Sequence, residues 1–166
     1  MNYQLSDFQN IKHFIFDIDG VLTNGNLLIN SDGTLLRTMN IKDGYAMQLA
    51  IKKKYSISII SGAQGEAIAK RLIGLGIEDI HLGIVQKLNT LNEIISTKNI
   101  DISKTLFMGD DMPDLKPMRH VVFACCPADA CQEIKKLSKY ISPYKGGEGC
   151  VRDVIEKVLK LNNDWE

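Results

Sequence analysis

Apolar and polar positions alternate along the chain so as to divide it into short buried strands separated by amphipathic helices. Residues 11–16 form a β-rich apolar run that stops abruptly at acidic and glycine residues, which predicts a first strand ending at Asp17. Residues 26–30 and 34–39 flank Ser31-Asp32-Gly33, and an Asp-Gly between two short runs signals a hairpin because glycine accepts positive φ. Asp43 is placed to cap a helix running to about residue 53, with Ala46, Leu49 and Ala50 on one face. The alternation then repeats. It predicts a strand at 56–60, a helix at 66–75, a short strand near Ile80, a helix at 86–98 and a strand at 105–108. A helical turn near Leu115, a strand at 121–124 and a helix at 129–137 follow, and a last helix carries Val151, Val154, Ile155, Val158 and Leu159 at amphipathic spacing.

Strands alternating with helices imply an α/β fold: a Rossmann-like, three-layer arrangement of a parallel sheet with helices on both faces, plus a projecting β-hairpin over about 25–39. Ligands of such a sheet lie at the C-terminal ends of its strands. The length of 166 residues suits one compact domain, 1–166. The glycine cluster at 146–149 reads as a loop before the final helix, the two together spanning about 145–161, and not as a domain boundary.

Composition narrows the choice of partner. Twenty basic residues balance twenty acidic ones, so nucleic acid, polyanions and anionic membranes are not the expected partners. No apolar run approaches the roughly 18 residues of a membrane span, and residues 1–10 lack a basic start followed by an apolar stretch, so a soluble, cytoplasmic protein is expected. Cys125, Cys126, Cys131 and Cys150 lack metal-ligand spacing and read as buried free thiols.

The candidate chemistry sits where strands end. Asp17-Ile18-Asp19-Gly20 follows the first strand, and Gly109-Asp110-Asp111-Met112-Pro113-Asp114 follows the strand at 105–108, so several carboxylates converge on one edge of the sheet. Packed carboxylates repel one another and call for a cation; a hard divalent ion such as Mg²⁺, which accepts one or two carboxylates and a phosphate oxygen, is the natural solution. Ser61-Gly62 ends another strand and offers a hydroxyl and backbone N–H groups that suit a phosphate. Lys87 opens a predicted helix, where a lysine is slightly unfavourable for the helix dipole; an exposed surface lysine is the alternative.

This ordered set, Asp-x-Asp, Ser-Gly, Lys and Gly-Asp-Asp-x-x-Asp, resembles the four motifs of haloacid dehalogenase phosphatases. The resemblance implies that Asp17 is the nucleophile forming an aspartyl-phosphate, that Asp19 is the acid and base, and that Ser61, Gly62 and Lys87 bind the phosphoryl group. It implies Mg²⁺ held by the carboxylates of Asp17 and Asp110 and the backbone carbonyl of Asp19, with Asp111 and Asp114 in support. Roughly 40 residues separate Asp19 from Ser61 and roughly 25 separate Ser61 from Lys87, so neither interval has room for a cap domain.

A capless chain of this size is similar to the 3-deoxy-D-manno-octulosonate 8-phosphate phosphatase type. The likeness runs from about Ile11 to Leu161. It is carried by the stretch 17–25, by Asn40-Ile41-Lys42-Asp43-Gly44-Tyr45, by Lys87, by Gly109-Asp110-Asp111 and by Lys145-Gly146-Gly147-Glu148-Gly149. It implies a phosphoric monoester hydrolase acting on a small phosphorylated sugar acid in lipopolysaccharide precursor synthesis, in a homotetramer whose sites are completed by neighbouring subunits. Lys42 and Lys145 are then further candidates for substrate binding, with ordinary exposed lysines as the alternative. Two positions depart from the pattern: Ala63 stands where arginine usually follows Ser/Thr-Gly, and Glu148 where the glycine-rich loop often has arginine. A 2-keto-3-deoxynononate 9-phosphate phosphatase, or another small sugar-phosphate phosphatase, is therefore the alternative, and a catalytically silent oligomerisation module is the alternative of a different class.

Overall fold

The computed structural model describes residues 4–166. Helix α1 (Leu5–Gln9) precedes strand β1 (His13–Phe16), and a hairpin of β2 (Leu28–Ile29) and β3 (Leu35–Leu36) leads to α2 (Ile41–Lys52). Then come β4 (Ser56–Ile60), α3 (Glu66–Gly74), β5 (Asp79–His81), α4 (Lys87–Lys98), β6 (Thr105–Met108), α5 (Leu115–Met118), β7 (Phe123–Cys126), α6 (Gln132–Leu137), β8 (Tyr140–Ile141) and α7 (Cys150–Leu161). Six strands form one parallel sheet in the order β5-β4-β1-β6-β7-β8, and β2 and β3 pair antiparallel apart from it.

The period of two along each strand sorts side chains between two cores. Phe14, Phe16, Ile57, Ile59, Leu106 and Met108 face α1, α2, α3 and α7, whereas Ile15, Ile60, Phe107 and Ala124 face α4, α5 and α6. With both faces covered, β1, β6 and β7 are buried along their whole length, as their near-continuous apolar sequences require. Strand β1 lies at the centre. The chain leaves it first toward β4 and β5 and later returns to its other side at β6, so the C-terminal ends of β1 and β6 flank the switch point where such sheets bind ligands.

Several elements differ from the sequence pattern. Helix α1 was not expected; it is pinned by Phe8, whose ring lies 4.7 Å from that of Phe123 and 5.2 Å from that of Tyr140. Pairing in β7 begins at Phe123, opposite Leu106, because Val122 is turned outward. Helix α6 begins at Gln132 instead of Asp129, whose carboxylate accepts a hydrogen bond from the Gly146 amide. Strand β8 is two residues long, too short to show any period. Cys125, Cys126 and Cys150 are buried free thiols as expected, and Cys131 is half-buried. No helix among the described residues is long and apolar enough to cross a membrane.

Asp43 does not cap its own helix. Asn40 does, accepting from the Lys42 amide, while Asp43 is buried in the first turn of α2 and accepts from the Arg152 amide at 2.7 Å, near the start of α7. Its other oxygen, Oδ2, has no partner among the described residues. Burial raises the Asp43 pKa to about 6 against hydrogen bonds from the Arg152 and Gly149 backbone. A folded-state pKa above the unfolded value favours the folded chain at low pH, and this contribution is lost as pH rises from about 4 to about 6. Asp43→Asn is therefore expected to shift Tm more favourably at pH 7.5 than at pH 4.5. Calorimetry of both proteins at the two pH values checks this, and a shift that does not vary with pH would contradict it.

Candidate active site

The site is built on the ends of β1, β4 and β6 and on the start of α4. Asp17 directly follows β1, and its amide donates to the Met108 carbonyl of β6. The chain then makes one wide turn over Ile18–Leu22, closed by a bond from the Thr23 amide to the Ile18 carbonyl. Gly20 is required at its apex: φ is +84°, and a Cβ there would stand 2.0 Å from an Asp110 carboxylate oxygen. That close approach brings the two acidic motifs together.

Asp17 and Lys87 are both nearly inaccessible, at 6% and 4% exposure. Lys87 Nζ lies 2.9 Å from Asp17 Oδ2 and 2.7 Å from Asp114 Oδ1. The exposed-lysine alternative for Lys87 is thereby excluded. Burial disfavours its ammonium, but the carboxylates of Asp114 and Asp17 outweigh burial and hold its pKa above the ordinary lysine value. Asp114 also accepts from the Asp110 amide at 3.2 Å, so it braces both the lysine and the second acidic loop. Ser61 is buried at the end of β4; its Oγ accepts from the Ala63 amide at 3.2 Å, which leaves its O–H free to donate. Together with Gly62, Asp19, Asp110 and Asp111, these residues line an open hollow of about 540 Å³.

The donor set fits a divalent cation. Carboxylate oxygens of Asp17, Asp110 and Asp114 lie within 4.8 Å of one another. Asp17 Oδ1 is buried without a hydrogen-bond partner among the described residues, an orphan acceptor that a cation would satisfy. Burial, then repulsion from Asp114, Asp17 and Asp111, raises the Asp110 pKa to about 8, with Lys87 opposing. One lysine does not neutralise three carboxylates. Cation binding must displace the Asp110 proton, so the apparent Mg²⁺ affinity is expected to rise about tenfold between pH 6 and pH 7 and to level off above about pH 8. Titration calorimetry in buffers of different ionisation heat measures both affinity and proton release; an affinity that does not change with pH would show that Asp110 binds no displaceable proton.

The second carboxylate of the first motif is held differently. Asp19 is taken in a two-pronged ion pair by Arg37, just beyond β3: Nε donates to Oδ1 at 2.6 Å and Nη2 to Oδ2 at 2.9 Å. Sequence reasoning missed Arg37, because a lone cation in a short hairpin run carries no local sign of its partner. Lys42 and Lys145 are not brought into the hollow. Lys42 faces a separate hollow between α2 and α7, beside Glu148 and Arg152, and Lys145 is exposed. Within the chain, the glycine-rich loop braces the turn after β1: the Gly147 amide donates to the Val21 carbonyl at 2.9 Å, and a Cβ on Gly146 would stand 2.0 Å from the Gly20 carbonyl oxygen.

Comparison with known proteins agrees with this geometry. A family model described as haloacid dehalogenase-like hydrolase matches residues 73–155. The 3-deoxy-D-manno-octulosonate 8-phosphate phosphatase of Yersinia pestis is 30% identical over 157 residues, covering 95% of this chain and 84% of its own. A crystal structure of the phosphatase of the same name from Moraxella catarrhalis, in complex with magnesium, phosphate and KDO, superposes with a TM-score of 0.93 at 32% identity, covering 97% of this chain and 92% of that one. The Vibrio cholerae structure of a putative enzyme of that name gives a TM-score of 0.93 at 30% identity, covering 98% and 90%.

Proposed function

The chain belongs to the haloacid dehalogenase-like hydrolase family, and within it we propose that this protein is a Mg²⁺-dependent phosphomonoesterase that hydrolyses 3-deoxy-D-manno-octulosonate 8-phosphate to the free sugar acid and phosphate. The observation that carries the reading is the buried Asp17–Lys87–Asp114 arrangement beside Asp110, in a chain that matches phosphatases of that name along nearly its whole length. The relatives favour the eight-carbon sugar acid over the nine-carbon alternative and over a silent module. The reaction belongs to lipopolysaccharide precursor synthesis.

Asp17 attacks phosphorus and forms an aspartyl-phosphate, while Asp19 gives a proton to the departing sugar oxygen; Asp19 then takes a proton from the water that cleaves the acyl-phosphate. The Ser61 hydroxyl and the Gly62 amide bind phosphoryl oxygens. Lys87 sets its charge against both Asp17 and the phosphoryl group, so like-charged reactants meet beside a fixed cation. Asp17 and Asp110, with the Asp19 backbone carbonyl, are the residues that would hold Mg²⁺. When bound, the ion neutralises phosphoryl charge that Lys87 alone does not cover.

The described fold has no cap over the hollow, and we assign the missing cover to neighbouring copies in a homotetramer. Leu28, Ile29, Leu35, Leu36 and Ile41 are exposed along the hairpin and the start of α2, an apolar strip that a second copy would bury. Light scattering is expected to give four times the 18.5 kDa chain mass. Four free thiols without a disulfide suit a reducing compartment, which supports the cytoplasm.

The decisive assay is phosphate release, with Mg²⁺ and with chelator, from the octulosonate 8-phosphate, the nononate 9-phosphate, hexose phosphates and a nucleotide. Fast, metal-dependent release from the octulosonate ester is expected. Preference for another ester would overturn the substrate, and no release from any of them would overturn the activity.

A further inference from the structure

The two acidic motifs are held together by contacts that run outside the hollow. The Gly20 backbone leans on the Asp110 carboxylate, since a Cβ there would stand 2.0 Å from Asp110 Oδ2. Behind Gly20 lies Gly146, whose own Cβ would stand 2.0 Å from the Gly20 carbonyl oxygen. The Gly146 amide donates to Asp129 Oδ1 at 3.0 Å. Further along the same loop, the Cys131 amide donates to the Asp110 carbonyl at 2.9 Å. These contacts close a ring that runs from Asp110 through Gly20, Gly146 and Asp129 and returns through Cys131 to Asp110.

The ring carries a load. Carboxylates of Asp17, Asp110 and Asp114 repel one another within their cluster, and the groups packed against them must resist that repulsion; for Asp110 one of these is Gly20. Gly20 is backed in turn by Gly146, in a loop where Gly147 and Gly149 sit at φ of +67° and +110° and which no helix or strand stiffens. The loop is tied on either side, by Asn40 Nδ2 donating to the Gly147 carbonyl at 3.2 Å and by the Ala128 amide donating to the Tyr144 carbonyl at 2.9 Å. Among the described residues, Asp129 is the one that hydrogen-bonds Gly146 itself. Asp129 is exposed and does not line the hollow, so it acts on the site only through this backbone. Mg²⁺ demands near-octahedral oxygen ligands at about 2.0–2.1 Å, so a small drift of Asp110 relative to Asp17 weakens its binding.

We propose that Asp129 is a positioning residue for the metal site: by holding Gly146 against Gly20, it fixes the spacing of Asp17 and Asp110 at which Mg²⁺ binds. The inference rests on the Mg²⁺-dependent phosphatase reading above and adds a residue outside the hollow that sets the affinity for the ion.

The test measures Mg²⁺ binding by titration calorimetry at one pH, for the full chain and for Asp129→Ala, Asp129→Asn and Asp129→Glu, with melting curves taken without the ion. Asp129→Ala is expected to weaken binding about tenfold, the scale for losing a group that orients a metal ligand from outside its coordination sphere. Asp129→Asn removes the same charge but keeps an oxygen that accepts from the Gly146 amide, so its affinity should stay within about twofold of the parent. Asp129→Glu keeps the charge and carries the acceptor one methylene farther, so it should weaken binding too, and it serves in place of the alanine variant if that one does not fold. Phosphate release against Mg²⁺ concentration should follow the same order. If Asp129→Asn binds as weakly as Asp129→Ala, Asp129 acts through its charge; if Asp129→Ala lowers Tm but binds Mg²⁺ as the parent does, Asp129 serves stability alone. Either result overturns the inference while the phosphatase stands. Absence of both Mg²⁺ binding and turnover in the unmodified protein overturns both.

Discussion

Asp17→Asn is expected to lower phosphate release by about 10⁴-fold or more while leaving the fold intact, the scale of loss when a covalent nucleophile is removed. Asparagine has nearly the same volume, so the packing at the end of β1 is kept, and its amide oxygen can still accept from Lys87. What disappears is the anion able to attack phosphorus. The loss should lie in kcat, with Mg²⁺ binding weakened as one of three clustered carboxylates becomes neutral. Steady-state kinetics with a melting curve measure this. Activity within tenfold of the parent would remove Asp17 from the chemistry and with it the proposed mechanism.

Lys87→Ala should have two effects of different origin. Without the cation, charge gathering on the phosphoryl oxygens is less well balanced, and kcat should fall about 10²–10³-fold. The folded chain also keeps Asp17 and Asp114 buried with no counter-charge, and breaking such a buried group costs about 3–5 kcal/mol. Because the folded-state Lys87 pKa is raised, the stabilisation it gives is fully present below the ordinary lysine pKa and is lost only at more alkaline pH. The loss in Tm should therefore appear at neutral pH, and saturating Mg²⁺ should recover part of it by supplying positive charge to the same carboxylates. Melting with and without Mg²⁺, alongside kinetics, separates the two effects. An unchanged kcat would confine Lys87 to stability, and an unchanged Tm would mean that the carboxylates find another counter-charge.

The two predictions draw on different kinds of knowledge. Asp17 was legible as a candidate because an apolar run ending in Asp-x-Asp-Gly marks the C-terminal edge of a strand, wherever the rest of the chain goes. For Lys87 the local sequence offered only a position near a helix start, where an exposed lysine was an equal alternative, and it was the place of Lys87 in the ordered set of motifs that pointed to the phosphoryl group. Its depth, and the pairing that makes its loss costly, come from α4 being packed so that its first residue reaches between the ends of β1 and the second acidic loop.

Asp43 shows the same division. The pattern around it correctly indicated a helix, yet the cap of that helix is Asn40, and Asp43 is spent on the start of α7, more than a hundred residues away. A capping residue is recognised by local spacing, but a carboxylate that caps a distant helix has no such spacing to betray it. Gly146 behaves likewise: it was legible as part of a loop, while its contact with the Gly20 carbonyl follows from how two remote turns meet.

The sequence by itself determined the alternation of strands and helices, the parallel sheet that follows from it, the projecting hairpin, and the carboxylates, hydroxyl and lysine at the strand and helix ends. Each of these is encoded within a few residues, by the period of the apolar positions and by the polar residues that interrupt them. Tertiary structure alone decided which groups pair: Lys87 with Asp17 and Asp114, Arg37 with Asp19, Asp43 with the Arg152 amide. The physical reason is that pairing and desolvation depend on which side chains share a volume once the layers have packed, and that volume is shared by residues whose spacing along the chain is unrelated to their distance in space.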